Sequence, residues 1–200
     1  ALAAAFALII GGDTELIEII GLSLKVSLVA VLIAAAVGLP LGAALVLFRF
    51  PGRLTLVVLL NALMGLPPVV VGLIVYLLLS RAGPLGTLGL LFTPNAMIIA
   101  QAILVTPIIA ALTRQVIEDL WAEYEEQLRS LGAGPALALP TLLWDGRFSL
   151  ITAVLAGFGR ASAEVGAVMI VGGNIDHITR VMTTAIALEV SKGDLALALG

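Results

Sequence analysis

Residues 54–79, LTLVVLLNALMGLPPVVVGLIVYLLL, run for 26 residues without a single Asp, Glu, Lys or Arg. At 1.5 Å per helical residue, about 20 apolar residues cross the hydrocarbon core of a bilayer, so this stretch is long enough to span one. The rest of the 200-residue chain has the same character, with 61% of residues hydrophobic and 12% charged and a mean hydropathy of +1.20. A soluble domain carries roughly 25% charged residues, and a folded chain of this size cannot hide so much apolar side chain from water. An aqueous globular fold is excluded, and the bilayer is the solvent.

Three further stretches meet the length test. Residues 22–48 hold only Lys25, close enough to the start to snorkel toward the headgroups. Residues 96–117 hold only Arg114, near the end, whereas 148–171 contain Arg160 and Glu164 well inside. Residues 181–190 cover about half a bilayer and suit a short interfacial or re-entrant helix. Asp194 is placed to N-cap a last helix that stops at Gly200. The expected fold is an all-α integral membrane protein with one domain over 1–200. It has about five transmembrane helices (22–48, 54–79, 96–117, 148–171 and 194–200 onward, the last cut short) and a cytoplasmic segment at 118–147. That orientation follows the positive-inside rule: Arg49, Arg53, Arg114, Arg129 and Arg147 fall inside, against Arg81 and Arg180 outside, with Lys25 and Lys192 near the outer boundary.

Net charge is −3, which gives no reason to expect nucleic acid or a polybasic membrane switch. Cysteine is absent and His177 is the sole histidine, so disulfides and thiolate or histidine-rich metal sites are not expected. The first ten residues lack a basic n-region, and no signal peptide is read there. No Gly-x-x-x-x-Gly-Lys-Ser/Thr phosphate loop occurs, so any ATP must be bound by another chain.

Pro40, Pro67, Pro68 and Pro107 fall inside apolar stretches, where proline removes a backbone donor. The pair in Gly65-Leu66-Pro67-Pro68 is expected to leave carbonyls that only protein or a water-filled cavity can satisfy, so this break is a candidate lining or gate of a polar pathway. Asn61, Gln101 and Thr106 could offer neutral donors to a passing solute, or serve as hydrogen-bonding glue between helices. Arg160 and Glu164, four residues apart, would share one helix face as a buried pair. A structural clamp and a gate that opens during transport are both open readings. Small residues around them suit close helix approach.

Glu118 to Arg129 carries six charges in twelve residues. Leu120, Trp121, Tyr124, Leu128 and Leu131 recur at three- and four-residue steps, which predicts an amphipathic helix ended by Gly132 as a left-handed cap. Carboxylates, an apolar stripe and a sharp glycine turn suit either a helix lying on the inner leaflet or one that docks a soluble partner.

The run Glu126-Gln127-Leu128-Arg129-Ser130-Leu131-Gly132-Ala133 resembles the coupling-loop signature of ABC importer permeases, Glu-Ala-Ala, three residues and Gly. Glu126 and Gly132 keep the spacing, Gln127 and Leu128 replace the two alanines, and the later Ile-x-Leu-Pro part is represented only by a displaced Leu139-Pro140 and by Leu143-Trp144-Asp145. Ser23-Leu24-Lys25-Val26, Arg49-Phe50-Pro51-Gly52, Gly65-Leu66-Pro67-Pro68-Val69-Val70-Val71-Gly72, Gly83-Pro84-Leu85-Gly86 and Gly159-Arg160 through Glu164-Val165-Gly166 resemble the molybdate/tungstate/sulfate permease group in order and spacing. Glu164 through Ile175, Thr179 through Glu189 and Ser191-Lys192-Gly193-Asp194 are most similar to its tungstate branch. The resemblance covers roughly residues 12–200.

It implies a type I ABC importer permease in a prokaryotic plasma membrane, which is a homodimer and not an enzyme. Cytoplasmic ATPase subunits carrying ATP and Mg would sit under Glu126, Leu131, Gly132 and Ala133, and an extracytoplasmic substrate-binding protein would sit above. No cofactor or metal is expected in this chain. A molybdate or sulfate permease is the nearest alternative. An ion-coupled secondary carrier is a more distant one; it should show an inverted repeat and a midplane carboxylate, for which Glu164 is the candidate.

Overall fold

The computed structural model describes residues 14–193, and among these the regular structure is helical, with no strand. The helices are α1 (Thr14–Leu47), α2 (Arg53–Met64), α3 (Pro68–Leu79), α4 (Pro94–Ser130), α5 (Pro135–Asp145), α6 (Arg147–Ser162), α7 (Gly166–Gly172) and α8 (Met182–Lys192), with a 3-10 turn at Gly86–Leu88. Two of them, α1 and α4, are long and apolar enough to cross a membrane, and up to four spans result if α2 with α3 and α6 with α7 each count as one. The expected last helix from 194 and its Asp194 cap lie outside the described residues.

The charge-free stretch that opened the argument is two helices. Pro67 is the N-cap of α3, with φ −61° and ψ 128°, and Pro68 is its first residue. Those are the positions where a helix has no use for an N–H, so the two missing donors cost little. On the preceding side, the Gly65 and Leu66 N–H groups close 3-10 turns onto the Ala62 and Leu63 carbonyls at 3.1 and 3.2 Å. The expected fourth stretch is likewise two helices, because α6 ends at Ser162 and α7 starts at Gly166. Residues 96–117 and the charged segment after them are instead one helix of 37 residues, continuous through Pro107.

The chain divides into two compact units. The first holds residues up to Val29, Pro67–Gln101 and residues from Ser162 onward; the second holds Ala30–Leu66 and Ala102–Ala161. In the first, α3 lies against α7 closely enough that a β-carbon on Gly72 would stand 2.7 Å from the Ala167 α-carbon. Met97, Val168 and Val171 are fully buried in this unit, and the Phe92 N–H donates to the Val171 carbonyl at 3.0 Å.

In the second unit, α1 packs on α4 through Val31, Ala34, Val105 and Ile109, with Ala161 of α6 completing the cluster. Gly38 and Gly42 set that distance, since β-carbons there would meet Ile109 at 3.0 Å and the Thr113 β-carbon at 2.7 Å. Lipid gives apolar side chains no incentive to associate, so such small-residue contacts carry helix packing. A separate core forms from Ala43, Val46 and Leu47 of α1, Ile117 of α4, and Ala138 and Leu142 of α5.

Candidate functional site

The tip between α4 and α5 is built by a glycine cap. Gly132 has φ +74°, its N–H donates to the Arg129 carbonyl at 3.0 Å, and the Ala133 N–H reaches back to the Leu128 carbonyl at 2.9 Å. Together these form a Schellman closure. Pro135 then starts α5 at its first position. Glu126, Leu131 and Gly132 are exposed and Ala133 is half-buried. Leu131 is 82% exposed, an unusual state for a leucine with no lipid or partner on it.

The apolar stripe behind this tip corrects one expectation. Leu120, Trp121, Tyr124 and Leu128 do not face outward; they pack on the Ala138 and Leu142 core formed with α1 and α5. The stripe is satisfied within the chain, so what remains for another molecule is the tip itself and the carboxylates. The Tyr124 hydroxyl is held above its usual pKa by the nearby Glu123 carboxylate, with Asp145 adding to the effect.

A second feature lies in the first unit. Ser23, Ser27, Gln101, Ser162, Glu164 and Thr183 contribute the polar wall of a cavity of about 40 Å³. Glu164 is 4% exposed, and its Oε1 accepts the Ala167 N–H at 3.0 Å. Its own carbonyl accepts the Thr183 hydroxyl at 2.9 Å. Ser23 Oγ donates to the Ile19 carbonyl and accepts the Met182 N–H, both at 2.7 Å. The space suits a water or two, and a carboxylate on its wall disfavours an anion.

The structure therefore places Gln101 and Glu164 together, while Asn61, Thr106 and Arg160 belong to the other unit. Thr106 donates its hydroxyl to the Ala102 carbonyl one turn back at 2.7 Å, so that proton is engaged within its own helix. Arg160 stands in the last turn of α6, and Glu164 follows in the short break before α7. Ser23, Ser27 and Thr183 were not among the expected site residues. Two serines four apart at the start of an apolar span were the available signal.

Over 199 residues, 98% of this chain and 87% of the relative, the sequence is 45% identical to the tungstate uptake system permease protein TupB of Peptoclostridium acidaminophilum. It is 40% identical over 194 residues to a probable anion ABC transporter permease protein of Haloferax volcanii, covering 94% of this chain and 84% of that one. It is also 32% identical over 179 residues to the molybdenum transport system permease protein ModB of Escherichia coli, covering 82% and 75% of the two. The chain belongs to the molybdate/tungstate/sulfate permease group of ABC transporters. No family model matches it.

Membership removes the ion-coupled secondary carrier, and makes this permease a transport component of a multi-pass membrane assembly. Among its described residues no group of three His, Cys, Asp or Glu side chains is placed to hold a metal ion. The permease also carries an ionic clasp in its first unit. The Arg180 guanidinium lies 2.9 Å from Asp176 and 3.3 Å from Glu15, and His177 Nδ1 lies 3.0 Å from Glu18 at the start of α1. The hydrogen bond that His177 donates to the Glu18 carboxylate, aided by the charge of Asp176, raises the His177 pKa.

Proposed function

We propose that this permease is the membrane subunit of an ATP-driven oxyanion importer. It works as a homodimer in a prokaryotic plasma membrane, with tungstate delivered by an extracytoplasmic binding protein. Higher identity to a tungstate uptake permease than to a molybdenum one favours tungstate over molybdate. The observation that carries the reading is the exposed tip at Glu126, Leu131 and Gly132, held by the left-handed cap while the stripe behind it is packed away. Such a knob suits a groove of a separate cytoplasmic ATPase, on which ATP and Mg are bound. Closure of the ATPase pair would carry the tip with it, and the spans would alternate between inward-open and outward-open forms. The anion would then pass the broken second span, with Asn61, Pro67, Pro68, Gln101 and Thr106 along the route. Arg160 and Glu164 would act as a clamp or gate.

The test is reconstitution into liposomes with the cognate ATPase and binding protein. Tungstate-loaded binding protein should stimulate ATP hydrolysis more than molybdate- or sulfate-loaded protein, and no stimulation by any oxyanion overturns the reading. In the same assay Gly132→Val should retain ATP hydrolysis but lose tungstate uptake. A β-branched residue at φ +74° is strained by roughly 1–3 kcal/mol and distorts the cap; uptake unchanged in that variant would remove the tip from coupling.

A further inference from the structure

A third cluster lies at the junction of α5 and α6, where Gly146 keeps the backbone hydrogen bonds running. Its N–H donates to the Leu142 carbonyl and its carbonyl accepts the Leu150 N–H, both at 2.9 Å. Helical phase therefore carries through the junction. Leu137, Trp144, Phe148, Ile151 and Leu155 form one exposed apolar face across it. On the α6 side such a face is what lipid requires of a span. The Trp144 end differs, because it carries a cation.

The Arg147 guanidinium carbon lies 5.0 Å from the centre of the Trp144 ring and 4.6 Å from that of Phe148. Its Nη1 donates to the Trp144 carbonyl at 2.8 Å. Two aromatic rings thus flank a guanidinium fixed by its own backbone, and flanking leaves donors at the edge of the fork. No carboxylate pairs with Arg147 among the described residues. Asp145 lies close enough to Tyr124 to help Glu123 raise that hydroxyl's pKa. Trp144 is 72% and Phe148 70% exposed, so neither ring is occupied by the protein. Phe148 also begins the apolar run to Val171, which sets the cation where hydrocarbon gives way to headgroups. Aromatic rings favour that depth, and a guanidinium fork matches a phosphate two-pronged.

We propose that Trp144, Arg147 and Phe148 bind the headgroup phosphate of an anionic phospholipid. Its acyl chains lie along Ile151 and Leu155. An ammonium-bearing zwitterionic headgroup competes with Arg147 for the same phosphate, so the site selects phosphatidylglycerol over phosphatidylcholine.

The test uses the permease carrying Trp121→Phe, which leaves Trp144 as the one indole within residues 1–200, in phosphatidylcholine vesicles doped with acyl-brominated phosphatidylglycerol or acyl-brominated phosphatidylcholine at equal mole fraction. Brominated phosphatidylglycerol should quench Trp144 fluorescence more strongly, with a preference of about tenfold in local lipid ratio, the effect of one charge-assisted hydrogen bond. Arg147→Gln should lose the preference, Arg147→Lys should keep part of it, and added inorganic phosphate should not relieve it. Equal quenching by both lipids, or a preference that survives Arg147→Gln, overturns the proposal. So does relief by phosphate, which marks a site for free anion. Absence of quenching by either lipid overturns it too, because protein would then cover this face.

Discussion

Glu164 illustrates how much one buried carboxylate can decide. Glu164 is 4% exposed, and its carboxylate accepts the Ala167 N–H of the helix that follows it. Glutamine preserves an oxygen for that N–H, whereas alanine leaves it without one. Glu164→Ala should therefore destabilise the purified permease by about 1–2 kcal/mol more than Glu164→Gln, read as a larger drop in thermal unfolding midpoint. Equal drops would show that the charge matters and the cap does not. The end of α6 at Ser162 was not legible in the sequence, because Ala161-Ser162-Ala163 contains neither proline nor glycine. Past the break the Glu164 carboxylate bonds the Ala167 N–H of the next helix, a role glutamate seldom takes at a helix start, so the break had no local signature.

At the scale of elements, the α1–α4 contact shows what composition can and cannot convey. Apolar length announced the helices, but lipid-soluble side chains pack equally well against lipid, so hydrophobicity does not say which faces meet. Gly38 and Gly42 do, being one turn apart and each nearly touching α4. A side chain at Gly42 would run into the Ala110 carbonyl and the Arg114 backbone nitrogen, which cannot move aside as a flexible side chain can. Gly42→Leu should abolish recovery of monodisperse permease, while Gly38→Ala, facing mainly the Ile109 side chain, should fold with a midpoint lowered by the equivalent of about 1–3 kcal/mol. Size-exclusion profiles and thermal unfolding check both. The inner stripe was legible as periodicity and misread as to its customer. Leu120, Trp121, Tyr124 and Leu128 needed an apolar partner, and α5, a short helix opened by Pro135, was the one supplied by the chain itself.

For the molecule as a whole, the class of fold was readable from the scarcity of charge, and the family from the cap-bearing run ending at Ala133. The polar cavity was not, since Ser23, Gln101, Glu164 and Thr183 come from segments far apart in sequence. Long-range ties of the same kind hold the first unit by its ionic clasp. His177 has a pKa raised mainly by its hydrogen bond with Glu18. Its stabilising contribution is fully present below the unfolded value of about 6.5 and disappears as pH climbs through the raised folded value. The difference in unfolding midpoint between the native permease and His177→Gln should therefore be largest in mildly acidic buffer and shrink in alkaline buffer; a difference independent of pH would show that protonation plays no part. The unbroken run of α4 from its apolar half to Ser130 has a consequence for how this chain tolerates length changes. A helix turns by about 100° per residue, so a single residue inserted after Ile117 would swing Leu131 and the capping glycine about a quarter-turn round the axis. It would also pull Leu120, Tyr124 and Leu128 out of register with α5. Rotational phase, as much as residue identity, aims the tip.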